Sequence, residues 1–162
     1  MSTLRALRKM STQADAKTFF SSPYYAVVGA SANPAKYGYK VFAWYIDRSL
    51  PVTPINPSTP AIPVSGTEYK TVRSLSAVPN PTQTSVSIIT PPKVTLSTLK
   101  EAKELGIPAV WMQPGSFDDE VLRFAREEAG FKAVVAGDGG RGSEGWCVLV
   151  DGDRGLKAAG KL

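Results

Sequence analysis

A chain of 162 residues fits one domain with room to bury a sizeable core. Hydrophobic residues make up 43% and charged residues 20%, and no apolar run approaches the roughly 18 residues a membrane span requires, so a soluble protein is expected. The formal charge of +5 favours an anionic partner, but no dense basic cluster, helix-turn-helix, zinc-finger or aromatic RNA-binding signature accompanies it, so a phosphorylated small molecule fits better than a nucleic acid.

The absence of histidine and a lone cysteine, Cys147, exclude most familiar chemistry. No Ser-His-Asp triad, Cys-His pair, zinc cluster or intramolecular disulfide can be built. A reducing compartment is the natural setting, and a cytoplasmic location is expected.

Residues 1–17 carry Arg5, Arg8, Lys9 and Lys17 against Asp15, with Leu4, Leu7, Met10 and Ala14 at helical spacing. Two readings stand: a first helix packed through its apolar stripe, or a basic, Ser-containing mitochondrial targeting segment. From Tyr24 an apolar run reads as a buried strand ending at Gly29, followed by turn chemistry at Ser31–Lys36. Tyr39, Phe42, Ala43 and Ile46 then predict a helix over 36–50, stopped by Pro51.

Val52 to Ile55 reads as a second strand, ended by Asn56-Pro57 and a Pro-rich loop through Pro63. Residues 66–78 predict a short extended piece and one helical turn. Ser85 to Ile89 is a third strand, closed by Thr90-Pro91-Pro92. A helix over 95–105 turns Leu96, Leu99 and Ala102 inward, with Gly106 as its C-terminal cap. Ala109 to Met112 is the fourth strand, Gln113-Pro114-Gly115 its turn, and Ser116 or Asp118 caps a helix running to about Gly130. Phe131 to Ala136 is a further strand, 137–145 a Gly-rich loop, and Trp146 to Val150 a short extra strand.

Strands alternating with helices through short loops predict an α/β fold: a Rossmann-like, doubly wound, mainly parallel sheet with helices on both faces. Such sheets bind ligands at the carboxyl ends of their strands, where Gly29-Ala30-Ser31, Asn56-Pro57, Thr90-Pro91-Pro92 and Gln113-Pro114-Gly115 are expected to converge. The loop at Gly29 follows a strand and opens a helix, the setting in which backbone N–H groups and the helix dipole hold a phosphate, with Lys36 and Lys40 adding charge. It can equally be a structural turn, and the spacing is not the full G-x-G-x-x-G. An NAD site usually has an acidic residue at the end of the second strand; Asn56-Pro57 stands there instead, which argues against NAD and permits another adenine nucleotide. Thr90-Pro91-Pro92 is either a rigid wall for an extended ligand or a plain strand-to-helix turn.

Val28-Gly29-Ala30-Ser31 with Asn33-Pro34, Pro54-Ile55-Asn56-Pro57, Gly66 through Ser74-Leu75 and Pro79, Ile88-Ile89-Thr90-Pro91-Pro92, and Val110 through Gly115 occur in order over residues 24–135. This stretch resembles the small stand-alone CoA-binding domain proteins, related to the CoA-binding domain of succinyl-CoA ligase and ADP-forming acyl-CoA synthetases. The resemblance implies that coenzyme A or an acyl-CoA lays its pyrophosphate near Gly29 to Ser31, and its adenine and ribose by Asn56-Pro57 and Thr90-Pro91-Pro92. Lys36, Tyr37, Lys40 and Lys93 are contacts implied by position. The ligases add a phosphorylated histidine and an ATP-grasp module; this chain has no histidine, so a binding module without the reaction is expected. The family tends to end with an Asp-x-Cys segment, whereas Cys147 here follows Trp146 beyond the Gly-rich loop, and a structural thiol is the expectation for it. The alternatives are a small NAD(P)-dependent oxidoreductase and a CoA-sensing regulatory module.

Overall fold

The computed structural model describes residues 11–137 and 145–162. The expected Gly-rich loop falls largely, and the apolar stripe of the N-terminal segment mostly, outside these residues. In chain order the elements are α1 (Gln13–Phe20), β1 (Tyr24–Val28), α2 (Tyr37–Asp47), β2 (Val52–Ile55), β3 (Ala61–Val64), β4 (Thr67–Lys70), β5 (Thr84–Ile88), α3 (Pro92–Leu105), β6 (Ala109–Met112), α4 (Asp119–Arg123), β7 (Ala133–Val135) and α5 (Val148–Ala158). A π-helical turn, Phe124–Glu128, prolongs α4.

Five strands form one parallel sheet in the order β2-β1-β5-β6-β7. The chain winds outward from β1 to β2, then crosses back to place β5 on the other side of β1. Strand order therefore reverses between β1 and β5, and a crevice opens at their carboxyl ends. Every residue of β5 and β6 is buried, which is why these segments read as continuous apolar or small-residue runs instead of alternating ones.

The alternation is visible in which layer each side chain joins. Ala26, Val28, Val86, Ile88, Val110 and Met112 pack with Leu99 and Ala102 of α3 and Val121 and Leu122 of α4. Tyr25, Val27, Ala109 and Trp111 face the other way, into an aromatic layer with Phe19, Phe20, Phe42 and Tyr45. Burial of rings this size stabilises by roughly 1.5–3 kcal/mol each. Polar atoms of the sheet and of α2 are paired within this layer, although the buried Trp44 Nε1 has no hydrogen-bond partner. Ser85 Oγ donates to the Phe19 carbonyl (2.7 Å), and the Tyr45 hydroxyl lies 2.7 Å from Ser87 Oγ. Burial pushes the Tyr45 phenol well above its ordinary range, so it stays protonated.

Several expected boundaries shift for identifiable reasons. Helix α2 starts at Tyr37 and ends at Asp47, with Lys36 as an extended N-cap. Helix α3 starts at Pro92, because proline suits the first helical position and Pro91 caps it, so the helix begins three residues before Thr95. Asp118, not Ser116, caps α4 by accepting from the Val121 N–H at 3.0 Å. Ala14 is exposed, and α1 packs through Ala16, Phe19 and Phe20, held by a capping box between Thr12 and Asp15.

Two expectations are corrected. The Pro-rich segment is not loop throughout: β3 and β4 form an antiparallel hairpin with Ile62 opposite Tyr69. Ser65 and Gly66 both adopt positive φ (50° and 84°), as a two-residue hairpin turn requires. The region from Trp146 to Val150 is not a strand. Cys147 is the N-cap of α5, its N–H donating to the Asp151 carboxylate at 3.0 Å, and the helix is amphipathic with Val148 and Leu156 buried.

Helix α5 sits close because its inner face is glycine. A Cβ at Gly152 would stand 2.5 Å from the Trp44 ring, and one at Gly155 3.0 Å from Ala16 Cβ. Outside this contact, Arg48 stacks on Trp44, 4.2 Å from its ring centre, and is paired with Asp153 at 2.6 Å. The hydrogen bond and charge of Arg48 lower the Asp153 pKa below its ordinary value. A carboxylate depressed in the folded state adds stability above its unfolded pKa of about 3.9 and loses it as pH falls through the folded value. The pair is exposed, so the expected contribution is only about 0.2–1 kcal/mol. Urea melts of Asp153→Asn and the parent should therefore differ slightly at pH 7 and converge as acid protonates the folded carboxylate; a gap that persists there would show the effect is not ionic.

Candidate nucleotide site

The carboxyl end of β1 is shaped by two glycines. Gly29 has φ of +91°, and an added Cβ would lie 2.8 Å from the Ile89 carbonyl oxygen. In the first turn of α2, a Cβ on Gly38 would lie 2.1 Å from the Gly29 carbonyl oxygen. Helix and loop approach this closely because neither carries a side chain at the contact.

Asn56, at the end of β2, fixes the next residue. Its Nδ2 donates to the Ala30 carbonyl at 2.7 Å, while its Oδ1 accepts from the N–H groups of Ser58 (2.8 Å) and Thr59 (3.0 Å). The Oδ1 and one Nδ2 hydrogen thus hold the loop, and the second Nδ2 hydrogen is left over from these contacts. Ser31 Oγ accepts from the Asn33 N–H at 3.1 Å and Asn33 Oδ1 from the Ala35 N–H at 3.0 Å, carrying the chain tightly into α2.

Helix α2 has no side-chain cap at its N-terminus. The Tyr39 N–H donates to the Lys36 carbonyl, while Lys36, Tyr37 and Gly38 at the helix start border an open cleft of about 540 Å³, walled also by Gly29, Ala30, Ser31 and Asn56, with Ala35 and Ile89 completing it. Lys36 and Tyr37 are exposed at its edge, and Lys40 lies 5.3 Å from the Tyr37 ring centre. Such a surface can receive a phosphate through backbone donors and one ammonium.

A second slot, about 180 Å³, shares Gly29 and Asn56 with the first. Its walls are mainly apolar, from Val28, Ile55, Leu75 and Val94, with Pro57, Thr90, Thr98, Arg73, Ser74 and Glu101 completing them. The two spaces adjoin at Gly29 and Asn56.

Of the residues singled out from sequence, Gly29, Ala30, Ser31, Lys36, Tyr37, Asn56, Pro57 and Thr90 are brought together around these two clefts. Asn33, Pro34, Lys40, Pro91, Pro92 and Lys93 neighbour them in the chain without lining either. The fourth strand end diverges: Gln113 is buried, its Nε2 lying 3.2 Å from Cys147 Sγ and its Oε1 accepting from the Val148 N–H at 2.8 Å. Gln113 thereby docks α5 onto β6, and Pro114 and Gly115 line neither cleft. Cys147 is half-buried in this contact. Sequence reasoning passed over Gly38 and Arg73. A glycine in the opening turn of a helix after a Gly-bearing loop is the signal that was available for Gly38; Arg73 is brought in by the bridge of Val72 to Ile55 and had no local motif.

The parallel sheet, its order reversal beside β1 and the glycine loop at that point define a Rossmann-like α/β domain. Within that class the chain belongs to the CoA binding domain family, whose model matches residues 24–138. A conserved hypothetical protein from Pyrococcus furiosus is 35% identical, covering 70% of this chain and 92% of its own, with a TM-score of 0.60. A hypothetical protein from Pyrococcus horikoshii is 25% identical over 90% of this chain and 92% of its own, TM-score 0.71. A protein from Thermus thermophilus is 26% identical over 89% and 98%, TM-score 0.69. No curated protein sequence matches the chain. No helix among the described residues is long and apolar enough to cross a membrane.

Proposed function

We propose that this protein binds coenzyme A or an acyl-CoA across the two clefts at the carboxyl ends of β1, β2 and β5, and does so without transforming it. The observation that carries the reading is the uncapped N-terminus of α2, with Lys36 beside it, facing a glycine loop too tightly packed to admit side chains. That arrangement suits the pyrophosphate, and the apolar slot beyond Asn56 suits the adenine ring. Family membership supports the ligand class. The binding-only role rests on the lack of histidine and on Cys147 being engaged by Gln113.

Thermal unfolding of the purified protein titrated with CoA, acetyl-CoA, NAD and NADP tests this. CoA species are expected to raise Tm with concentration, corresponding to about 2.7 kcal/mol when ligand stands at a hundred times Kd. Stabilisation by NAD or NADP with none by CoA would overturn the proposal.

A further inference from the structure

Coenzyme A carries two separated anionic groups, the pyrophosphate and a phosphate on the adenosine ribose. The site has two separated cations. Lys36 borders the cleft at the N-terminus of α2, and Arg73 borders the apolar slot that shares Gly29 and Asn56 with it. Arg73 is exposed and forms no ion pair among the described residues, although Glu101 of α3 lines the same slot. Its guanidinium is free to take a phosphate in a two-pronged contact. Asn56, which holds Ala30, Ser58 and Thr59, offers the ribose no carboxylate of the kind that selects an unphosphorylated diol.

We infer that Arg73 is the specificity-determining residue that reads the ribose 3′-phosphate, so that the site separates coenzyme A from dephospho-coenzyme A. Backbone geometry delivers the arginine: the Ile55–Val72 bridge, with Val72 N–H donating to the Pro54 carbonyl at 3.0 Å and Asn56 N–H to the Val72 carbonyl at 3.0 Å, pins the preceding residue to the end of β2.

This inference rests on the coenzyme reading above, and the two can fail separately. Calorimetric titration of the full chain with CoA and with dephospho-CoA is expected to show at least a roughly tenfold preference for CoA, the yield of one charge-assisted contact. Arg73→Met should reduce CoA affinity to that of dephospho-CoA while leaving the latter nearly unchanged, which also reports that the variant is folded. Arg73→Lys should keep part of the preference. A preference that survives in Arg73→Met, or is absent from the parent, overturns the assignment of Arg73 alone. Binding of neither ligand by the parent overturns the coenzyme reading and the assignment with it.

Discussion

Gly38→Ala is expected to destabilise the protein by about 1–3 kcal/mol or more and to abolish the rise in Tm caused by CoA. The sign is not obvious in advance. Gly38 has ordinary helical geometry, and alanine there would by itself favour the helix by roughly 0.8–1 kcal/mol. The opposing effect is larger. The new Cβ would stand 2.1 Å from the Gly29 carbonyl oxygen and 3.2 Å from the Ser31 N. These are backbone atoms of the loop itself, so relief requires moving the loop or lifting the start of α2. Either movement disturbs the N–H groups proposed to hold the pyrophosphate. Urea melts and ligand titrations on the same variant check both halves; an alanine variant as stable as the parent would show that the helix and loop are less tightly apposed.

Asn56→Asp comes next in size. The side chain keeps its shape and still accepts from Ser58 and Thr59, but an oxygen replaces the Nδ2 that donates to Ala30. Two acceptors then face each other at hydrogen-bond distance, at an expected cost of about 1–3 kcal/mol. A carboxylate beside the phosphate site should also weaken CoA binding. The deficit in stability has a distinctive pH dependence. A protonated Asp can donate to Ala30, so folding favours the protonated form and raises the pKa of the new group. The loss is thus complete above the folded pKa and shrinks as pH falls toward the unfolded value of about 3.9. Denaturation at pH 7 and pH 4 distinguishes this from a simple packing defect, which would be the same at both.

The fold was legible where one local rule decided the outcome. The strand at Val52–Ile55 and that at Ala109–Met112 were bounded as expected, because Pro and turn residues flank short apolar runs. The hairpin at Ser65-Gly66 was missed because Pro60 and Pro63 obscured it, yet Pro63 sits in a two-stranded ribbon where its missing N–H is tolerated. The segment at Trp146 misled because its short run of apolar residues fits either period, and only the glycines at 152 and 155, read as packing surface, reveal a helix. Around the clefts, the strand ends before Gly29 and Asn56 were readable from local backbone signals. Long-range placements were not. Nothing near Gln113 indicates that it reaches Cys147, 34 residues on, or that Arg73 arrives beside β2.

The packing of α5 over α1 also bears on synthesis. Gly155 rests on Ala16 and Phe20, and Lys161 Nζ donates to the Ser22 carbonyl across 139 residues. A nascent chain emerges N-terminal end first, so Phe20, Trp44 and Trp111 are made long before α5, the helix that covers them. The aromatic layer stays uncapped until α5 has been made, and closing so distant a contact makes that docking a late event in folding.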